Sequence, residues 1–373
     1  MHRLAVMAAL LASSVHGQGE AASSLSNGLP VDREIRTGQS QLYTISLRTG
    51  EFLHLSGTAF AKVDLSLQLI QPGGVVLAEA DRLKDEGVED VFWIAAVDGD
   101  YTVRVTGKTG SGAYRLEAQV RAPNAQDREC ASAYANGWVD TNALAGKTGE
   151  ASQRARKEKL EASLPAWKAC GDRRWEAHTL YELGMLSQAL RENRRARDLL
   201  QQSLDLRRNL QESKELSYTL NNLALLLSDL GENREAIVMF DEAIALRRKL
   251  GDRRGEGVAL NNLGNTYRRL AELEKAESSL EAALAIRREV GDRFGEATTL
   301  SNLGVIHLVR AQFQKAMENA ADSLKIRVEI GDKRGEASSS GAVGTAYFEL
   351  GEYRKAEEYW DRSAKGYDAV HHL

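Results

Sequence analysis

The sequence predicts a multidomain chain, a small antiparallel β-sandwich followed by an all-α superhelix of stacked repeats, an α-solenoid. Three observations predict it. The stretch Gly251 to Val290 reappears on a shift of forty residues in either direction, so that 171, 211, 251, 291 and 331 each open a copy without gaps, and tandem copies of that length stack into an array. From about Leu29 to Val120 the apolar residues alternate with period two between turn signals, the pattern of half-buried strands. The four prolines, Pro30, Pro72, Pro123 and Pro165, all lie outside the five clean copies, as uninterrupted helices require.

Taken in order, residues 1–17 read as a secretory signal peptide: a short basic start at His2-Arg3, the apolar run Leu4 to Ala12, and the small residue Gly17 beyond it, too short an apolar run to cross a bilayer as a mature helix. Residues 18–29, rich in Ser, Gly and Ala, form a flexible mature start, and no later stretch is apolar enough to span a membrane. Residues 30–121 carry the sandwich. Strands are expected at Gln41–Leu47, Leu65–Leu69, Val91–Ile94, Tyr101–Val105 and Tyr114–Ala118. They are separated by turns at Thr49-Gly50, Pro72-Gly73-Gly74, Asp98-Gly99-Asp100 and Gly110-Ser111-Gly112, residue types that supply the left-handed or preset φ of tight turns. Residues 122–170 hold a linker at Pro123-Asn124 and a degenerate first helical repeat, its first helix expected over 127–142. Residues 171–373 hold the five forty-residue repeats.

Inside one copy, Leu260, Leu263, Gly264 and Tyr267 share one helical face, and Ala276, Leu280, Ala283, Leu284 and Ile286 follow on a second, so two amphipathic helices fill each repeat. Gly264 and Ala276 let the pair approach closely. Gly251, Gly291 and Gly331 are placed to end a helix in the left-handed conformation, and Asp252, Asp292 and Asp332 to cap the next one. Ala320 and Ser340 stand where bulky core residues are expected, which predicts looser packing in the last two repeats.

The spacing L-x2-L-G-x2-Y with a following Ala resembles the tetratricopeptide repeat, in its forty-residue variety. The registers Leu183, Leu223, Leu263, Leu303 and Val343, and Ala196, Ala236, Ala276, Ala316 and Ala356, carry the resemblance. Gly38 to Tyr43, Pro72 to Gly74, Gly99 to Val105 and Gly112 to Leu116 make the first domain similar to bacterial pre-peptidase C-terminal domains. The order of parts resembles the non-catalytic half of secreted bacterial proteins that continue into a caspase-like (CHAT) domain; this chain reaches Leu373 without such a segment.

The resemblance implies that the first helix of each repeat lines an inner groove. On that face stand Tyr218, then Asn222, Asn262 and Asn302 at one position of three successive repeats, then Asn265 and Arg269. A row of amides offers a donor and an acceptor at each step and can pair with the main chain of an extended peptide; the alternative is a position that accepts any solvated polar residue. Arg269 offers a cation to an acidic group, or is simply solvated. Asn221 and Asn261 lie on the flank and are expected to bond within the helix layer. Cys130 and Cys170, the two cysteines, fall at helix ends that an antiparallel pair brings together, leaving either a disulfide or two buried thiols.

Chemistry-bearing motifs fail on inspection. Gly107-Lys108-Thr109 and Gly146-Lys147-Thr148 lack the leading glycine of a phosphate loop. The seven histidines show no paired metal spacing, and His307 substitutes for a packed Tyr. A formal net charge of -4 gives no general basic surface for nucleic acid. The expectation is therefore a non-catalytic interaction scaffold of the cell envelope or secretome, without cofactor or metal, binding a protein or peptide in its groove and self-associating through the apolar end near Tyr359, Trp360 and Tyr367. The alternative is the regulatory part of a peptidase system whose catalytic domain lies elsewhere.

Overall fold

A computed structural model describes residues 22–60, 63–81, 88–139, 149–210 and 213–371. The segment read as a signal peptide lies outside the described residues. The chain divides into two compact units, Met1–Asp172 and Arg173–Leu373.

The first unit is built on eight strands: β1 (Ser23–Ser24), β2 (Val31–Arg36), β3 (Ser40–Leu47), β4 (Phe52–Ala59), β5 (Val63–Ile70), β6 (Val76–Ala80), β7 (Val88–Ile94) and β8 (Gly99–Arg121). The last corrects the sequence reading. Tyr101–Val105 and Tyr114–Ala118 are parts of one 23-residue strand, and Gly110-Ser111-Gly112 is no hairpin turn. Gly110 has φ +74°, a local bend that lets the strand leave one sheet and enter the other. Its first half pairs with β3 and β5, its second with β2 and β4. Alternation along β8 buries Tyr101, Val103, Val105, Tyr114 and Leu116, so both sheets turn one face to a shared core. They meet closely: a Cβ on Gly57 of β4 would stand 3.0 Å from Leu67 of β5.

Among the described residues two helices complete this unit, α1 (Ala125–Tyr134), continued by a π-helical turn over Ala135–Val139, and α2 (Glu150–Cys170). The first starts earlier than its apolar pattern suggested, because Asn124 and Asp127 form a reciprocal capping box. Asp127 also takes Arg121 through both oxygens, at 2.6 and 3.0 Å, and that pairing holds its carboxyl below the usual range. Tyr134 and Trp167 set their rings edge-on against Phe92 of β7 at 6.0 and 5.9 Å. A disulfide joins Cys130 to Cys170 across a Cα separation of 4.9 Å.

The second unit is a TPR-like α-solenoid of ten helices: α3 (Arg173–Ala189), α4 (Asn193–Leu210), α5 (Ser213–Asp229), α6 (Asn233–Leu250), α7 (Arg253–Arg269), α8 (Leu273–Glu289), α9 (Arg293–Val309), α10 (Phe313–Glu329), α11 (Lys333–Glu349) and α12 (Tyr353–His371). Odd-numbered members are first helices, even-numbered ones second helices. The Gly-Asp joints behave as the sequence predicts: Gly251, Gly291 and Gly331 take φ of +69°, +66° and +71°, and Asp252, Asp292 and Asp332 accept from the amides of Gly255, Gly295 and Gly335 at 2.8, 3.0 and 2.9 Å.

The close approach at Gly264 is present, since a Cβ there would fall 2.7 Å from Leu280 Cγ. Ala320 and Ser340 are nonetheless buried, and the effect of the smaller Ala320 is local: the equivalent Cβ on Gly304 would meet nothing nearer than 3.5 Å. Within each repeat the turn between the helices needs positive φ, supplied by Gly231 and Gly351 in two repeats but by Arg191, Ala271 and Ala311 in the others. An L-residue there is strained. Ala271→Gly and Ala311→Gly are expected to raise stability by about 0.5–1 kcal/mol each, read as the midpoint of urea unfolding.

Candidate functional site

First helices of successive repeats stand side by side, and their open face carries the predicted asparagine row. Each amide is held by the neighbouring repeat. Asn222 Nδ2 donates to the Tyr181 hydroxyl at 2.5 Å, Asn262 Nδ2 to Asn221 Oδ1 at 3.3 Å, and Asn302 Nδ2 to Asn261 Oδ1 at 3.0 Å. Asn221 in turn donates to Asn222 Oδ1 at 3.2 Å, and Thr299 Oγ1 to Asn261 Oδ1 at 3.2 Å.

Asn221 and Asn261, read from sequence as flank residues bonding within the layer, are buried and form the rungs that join one repeat to the next. Their carbonyl oxygens accept from the following amide, which fixes its orientation. Asn262 and Asn302 are half-buried, and their own Oδ1 atoms accept no hydrogen bond from a described residue. Two oriented acceptors, each with a second amide hydrogen beside it, therefore lie one repeat apart on the open face.

The other predicted residues divide. Asn265 stands half-buried without a side-chain hydrogen bond among the described residues. Tyr218 is 39% exposed with Arg247 Cζ 5.1 Å from its ring centre. Arg269 is not a free cation: it donates to the Ser228 carbonyl at 3.0 Å and pairs with Asp229 at 2.7 Å, a second lateral tie between repeats.

The sequence reading missed a buried row beneath this face. Arg207, Arg247, Arg287 and Arg327, forty residues apart near the ends of the second helices, are all buried. Each reaches the start of the next repeat: Arg207 donates to the Glu215 carbonyl at 2.9 Å and Thr219 Oγ1 at 2.5 Å, Arg247 to the Gly255 carbonyl, Arg287 to Asp292 at 2.9 Å, and Arg327 to Asp332.

Glycine at 255, 295 and 335 makes the room, since a Cβ at 295 or 335 would overlap the guanidinium and one at 255 would stand 3.0 Å from Arg247 Cδ. Aromatic faces cover several of these cations, Tyr181 at 4.9 Å from Arg207 and Phe294 at 5.6 Å from Arg327. Burial pushes the pKa of Arg247 and Arg287 below the ordinary arginine value. The signal was present in the forty-residue recurrence of Arg eight positions before Gly at 247/255, 287/295 and 327/335.

A buried glutamate marks the same joints. Glu256 takes Arg248 at 2.5 Å and Arg253 at 2.6 Å; Glu296 takes Arg288 at 2.8 Å and Arg293 at 2.7 Å. His307 is buried as a packed residue against Gln312, at 2.8 Å. In the first unit, a cleft of ~270 Å3 is walled by His54, Phe92, Arg121, Asp127 and the disulfide. In it Arg121 pairs with Asp127, and His54 Nε2 lies 3.0 Å from Asp90. Asp98 accepts twice from Thr49 and Asp100 once from Ser46, so the hairpin uses both carboxylates. Among the described residues no group of three or more His, Cys, Asp or Glu could hold a metal, and no helix is long and apolar enough to cross a membrane.

Residues 215–289 and 292–369 match the sequence pattern of the tetratricopeptide repeat family. No curated protein sequence matches the chain. Among solved structures the chain is similar to BtubC (BKLC) from P. vanneervenii, at 20% identity over 67% of this chain and 94% of that one with TM-score 0.50. It is also similar to aspartyl phosphate phosphatase F from Bacillus subtilis, at 14% identity over 65% and 72%, TM-score 0.50. A signal-transduction ATPase with a tetratricopeptide repeat sensor from Pyrococcus horikoshii matches at 17% identity over 62% of this chain and 36% of that one, TM-score 0.53. At these identities the likeness is one of fold.

Proposed function

We propose that this chain is a non-catalytic protein-interaction scaffold whose repeat face holds an extended peptide or partner segment by its main chain. The observation that carries the reading is the oriented amide row: Asn262 and Asn302 present acceptors in fixed directions because Asn221 and Asn261 hold their other ends. Fixed polar groups bind with less ordering cost than mobile ones, and amides pair with any main chain. The match to tetratricopeptide repeats supports the same reading.

The place of work is the cell envelope or the secretome. The Cys130–Cys170 disulfide supports an oxidising compartment, and the apolar segment from Leu4 to Ala12 agrees with export. The sandwich, similar in its turn spacing to pre-peptidase C-terminal domains, serves attachment. A scaffold also gains valency when copies pair, and we infer that these copies pair through the last repeat.

Random peptides displayed on phage and selected on the immobilised chain test the groove. Selected peptides are expected to bind an Asn262→Ala, Asn302→Ala variant about tenfold more weakly, two hydrogen bonds at roughly 0.5–1.5 kcal/mol each, while the repeats stay folded by circular dichroism and lose only the stability of the two lateral bonds, about 1–3 kcal/mol. Equal binding by a folded variant would remove the amide row from the site.

A further inference from the structure

The second helices α4, α6, α8 and α10 are each covered by the first helix of the next repeat, and the positions that meet it are shielded. Leu200, Phe240, Leu280 and Ala320 are buried at one such position, and Arg207, Arg247, Arg287 and Arg327 at another. On α12 the same positions are Trp360 and Tyr367, and they are 41% and 36% exposed. Tyr353, at 65%, extends the strip, and Phe348 from α11 touches both Tyr353 and Trp360 at ring distances of 5.4 and 5.6 Å.

This face is not built to receive another repeat of the same kind. Each interior joint uses a buried arginine to hold the start of the next repeat, and Tyr367 stands where that arginine belongs. The exposed residues have a different order. Tyr353, Glu357, Trp360, Ala364 and Tyr367 follow one another at steps of four, three, four and three, which is the seam of a heptad pattern. Beside the seam stand Arg354 and Asp368, both exposed. Three of the other charges of this helix have partners in the chain, Lys355 with Glu352 at 2.5 Å, Arg362 with Glu336 at 2.7 Å and Lys365 with Asp361 at 2.5 Å, while Glu357 on the seam and Glu358 next to it are exposed. Arg354 and Asp368 pair with no described residue.

We propose that two copies of this chain associate through α12, antiparallel and about a twofold axis near its middle, in the register that sets Trp360 of each copy over Ala364 of the other. Large against small at the centre lets the helices approach. The same register brings Glu357 opposite the Tyr367 hydroxyl of the second copy. It also brings Arg354 of each copy to Asp368 of the other, two identical ion pairs from one self-complementary surface, as an isologous contact requires. Arg354 and Asp368, opposite in sign at the two ends of the seam, make a second copy its own complement in this direction and set like charges at the same end in the parallel one. The inference deepens the scaffold reading in valency alone and does not depend on what the repeat face holds.

Sedimentation equilibrium of the full chain over a range of concentrations tests it. The chain is expected to fit a monomer–dimer equilibrium. Arg354→Asp or Asp368→Arg alone places like charges at both ends of the contact and is expected to weaken the dimer about tenfold or more. The double variant, Arg354→Asp with Asp368→Arg, restores the pairs reversed and is expected to recover the dimer to within about threefold.

Trp360→Ala is expected to weaken it by about tenfold or more and to lower the stability of the last helix pair through the lost Phe348 contact, while the far-ultraviolet circular dichroism stays that of the folded repeats and selected peptides still bind, which separates this contact from the groove. A chain that remains monomeric to about 200 µM, weaker than the micromolar end of standard-size interfaces, overturns the proposal. So does a double variant as weak as the single ones, or growth past the dimer.

Discussion

Replacing both cysteines, Cys130→Ser with Cys170→Ser, is expected to cost the first unit about 4 kcal/mol, the loop entropy that a cross-link spanning about forty residues removes from the unfolded chain. The sequence separation is 40, and the bond closes the loop containing the π-helical turn and all of α2. The same helices also meet the sheets through the aromatic contacts of Phe92 with Tyr134 and Trp167, the Arg121–Asp127 pair and the Trp138 indole, which donates to the Glu79 carbonyl at 2.7 Å. The loss is therefore local. Hydrogen–deuterium exchange is expected to rise over 125–170 and to stay unchanged over 213–369. Unchanged protection over 125–170 would show that packing alone holds the helices, and dithiothreitol on the parent chain should reproduce the double variant.

Gly264→Ala and Gly304→Ala, chemically the same change at equivalent positions of adjacent repeats, are expected to act in opposite directions. At 264 the new methyl would lie 2.7 Å from Leu280 Cγ and 3.1 Å from the Ala276 carbonyl oxygen, so α7 and α8 must separate, at about 1–3 kcal/mol. At 304 the nearest atoms are at 3.5 Å or beyond, because Ala320 replaces the Leu280 equivalent. There the gain in helix propensity over glycine, up to about 1 kcal/mol, is unopposed. Urea unfolding of the two single variants measures the contrast. Equal destabilisation at both sites would show that close helix approach, rather than the size of residue 280 or 320, sets the requirement for glycine.

These two contrasts also show what the sequence makes legible. The helix pairs, their Gly-Asp joints and the close approach at Gly264 follow from local periodicity and from residue types with one conformational use, so they can be read without the structure. The continuity of β8 could not, because Gly110-Ser111-Gly112 has the composition of a turn and only the pairing partners on either side decide that the chain runs on. The same holds for the buried arginines. A hydropathy pattern assigns Arg247 to the surface, and it is the absent Cβ eight residues later, in another helix, that opens space for it.

At the candidate site, helical geometry was enough to place Asn222, Asn262 and Asn302 on one face. It could not show that Asn221 and Asn261 turn across the repeat boundary to orient them, or that Arg269 is tied to Asp229. Those facts depend on the offset between neighbouring repeats, which no single repeat encodes.

The central claim is that the repeat face recognises peptide main chain. The direct measurement is the affinity, by isothermal titration calorimetry, of a selected peptide compared with versions N-methylated at one residue at a time. Methylation opposite Asn262 or Asn302 removes the amide hydrogen that their Oδ1 atoms accept, and the predicted result is a loss of about threefold at each of those positions with small effects elsewhere. Affinity insensitive to N-methylation at every position, and lost instead on trimming side chains, would contradict the account.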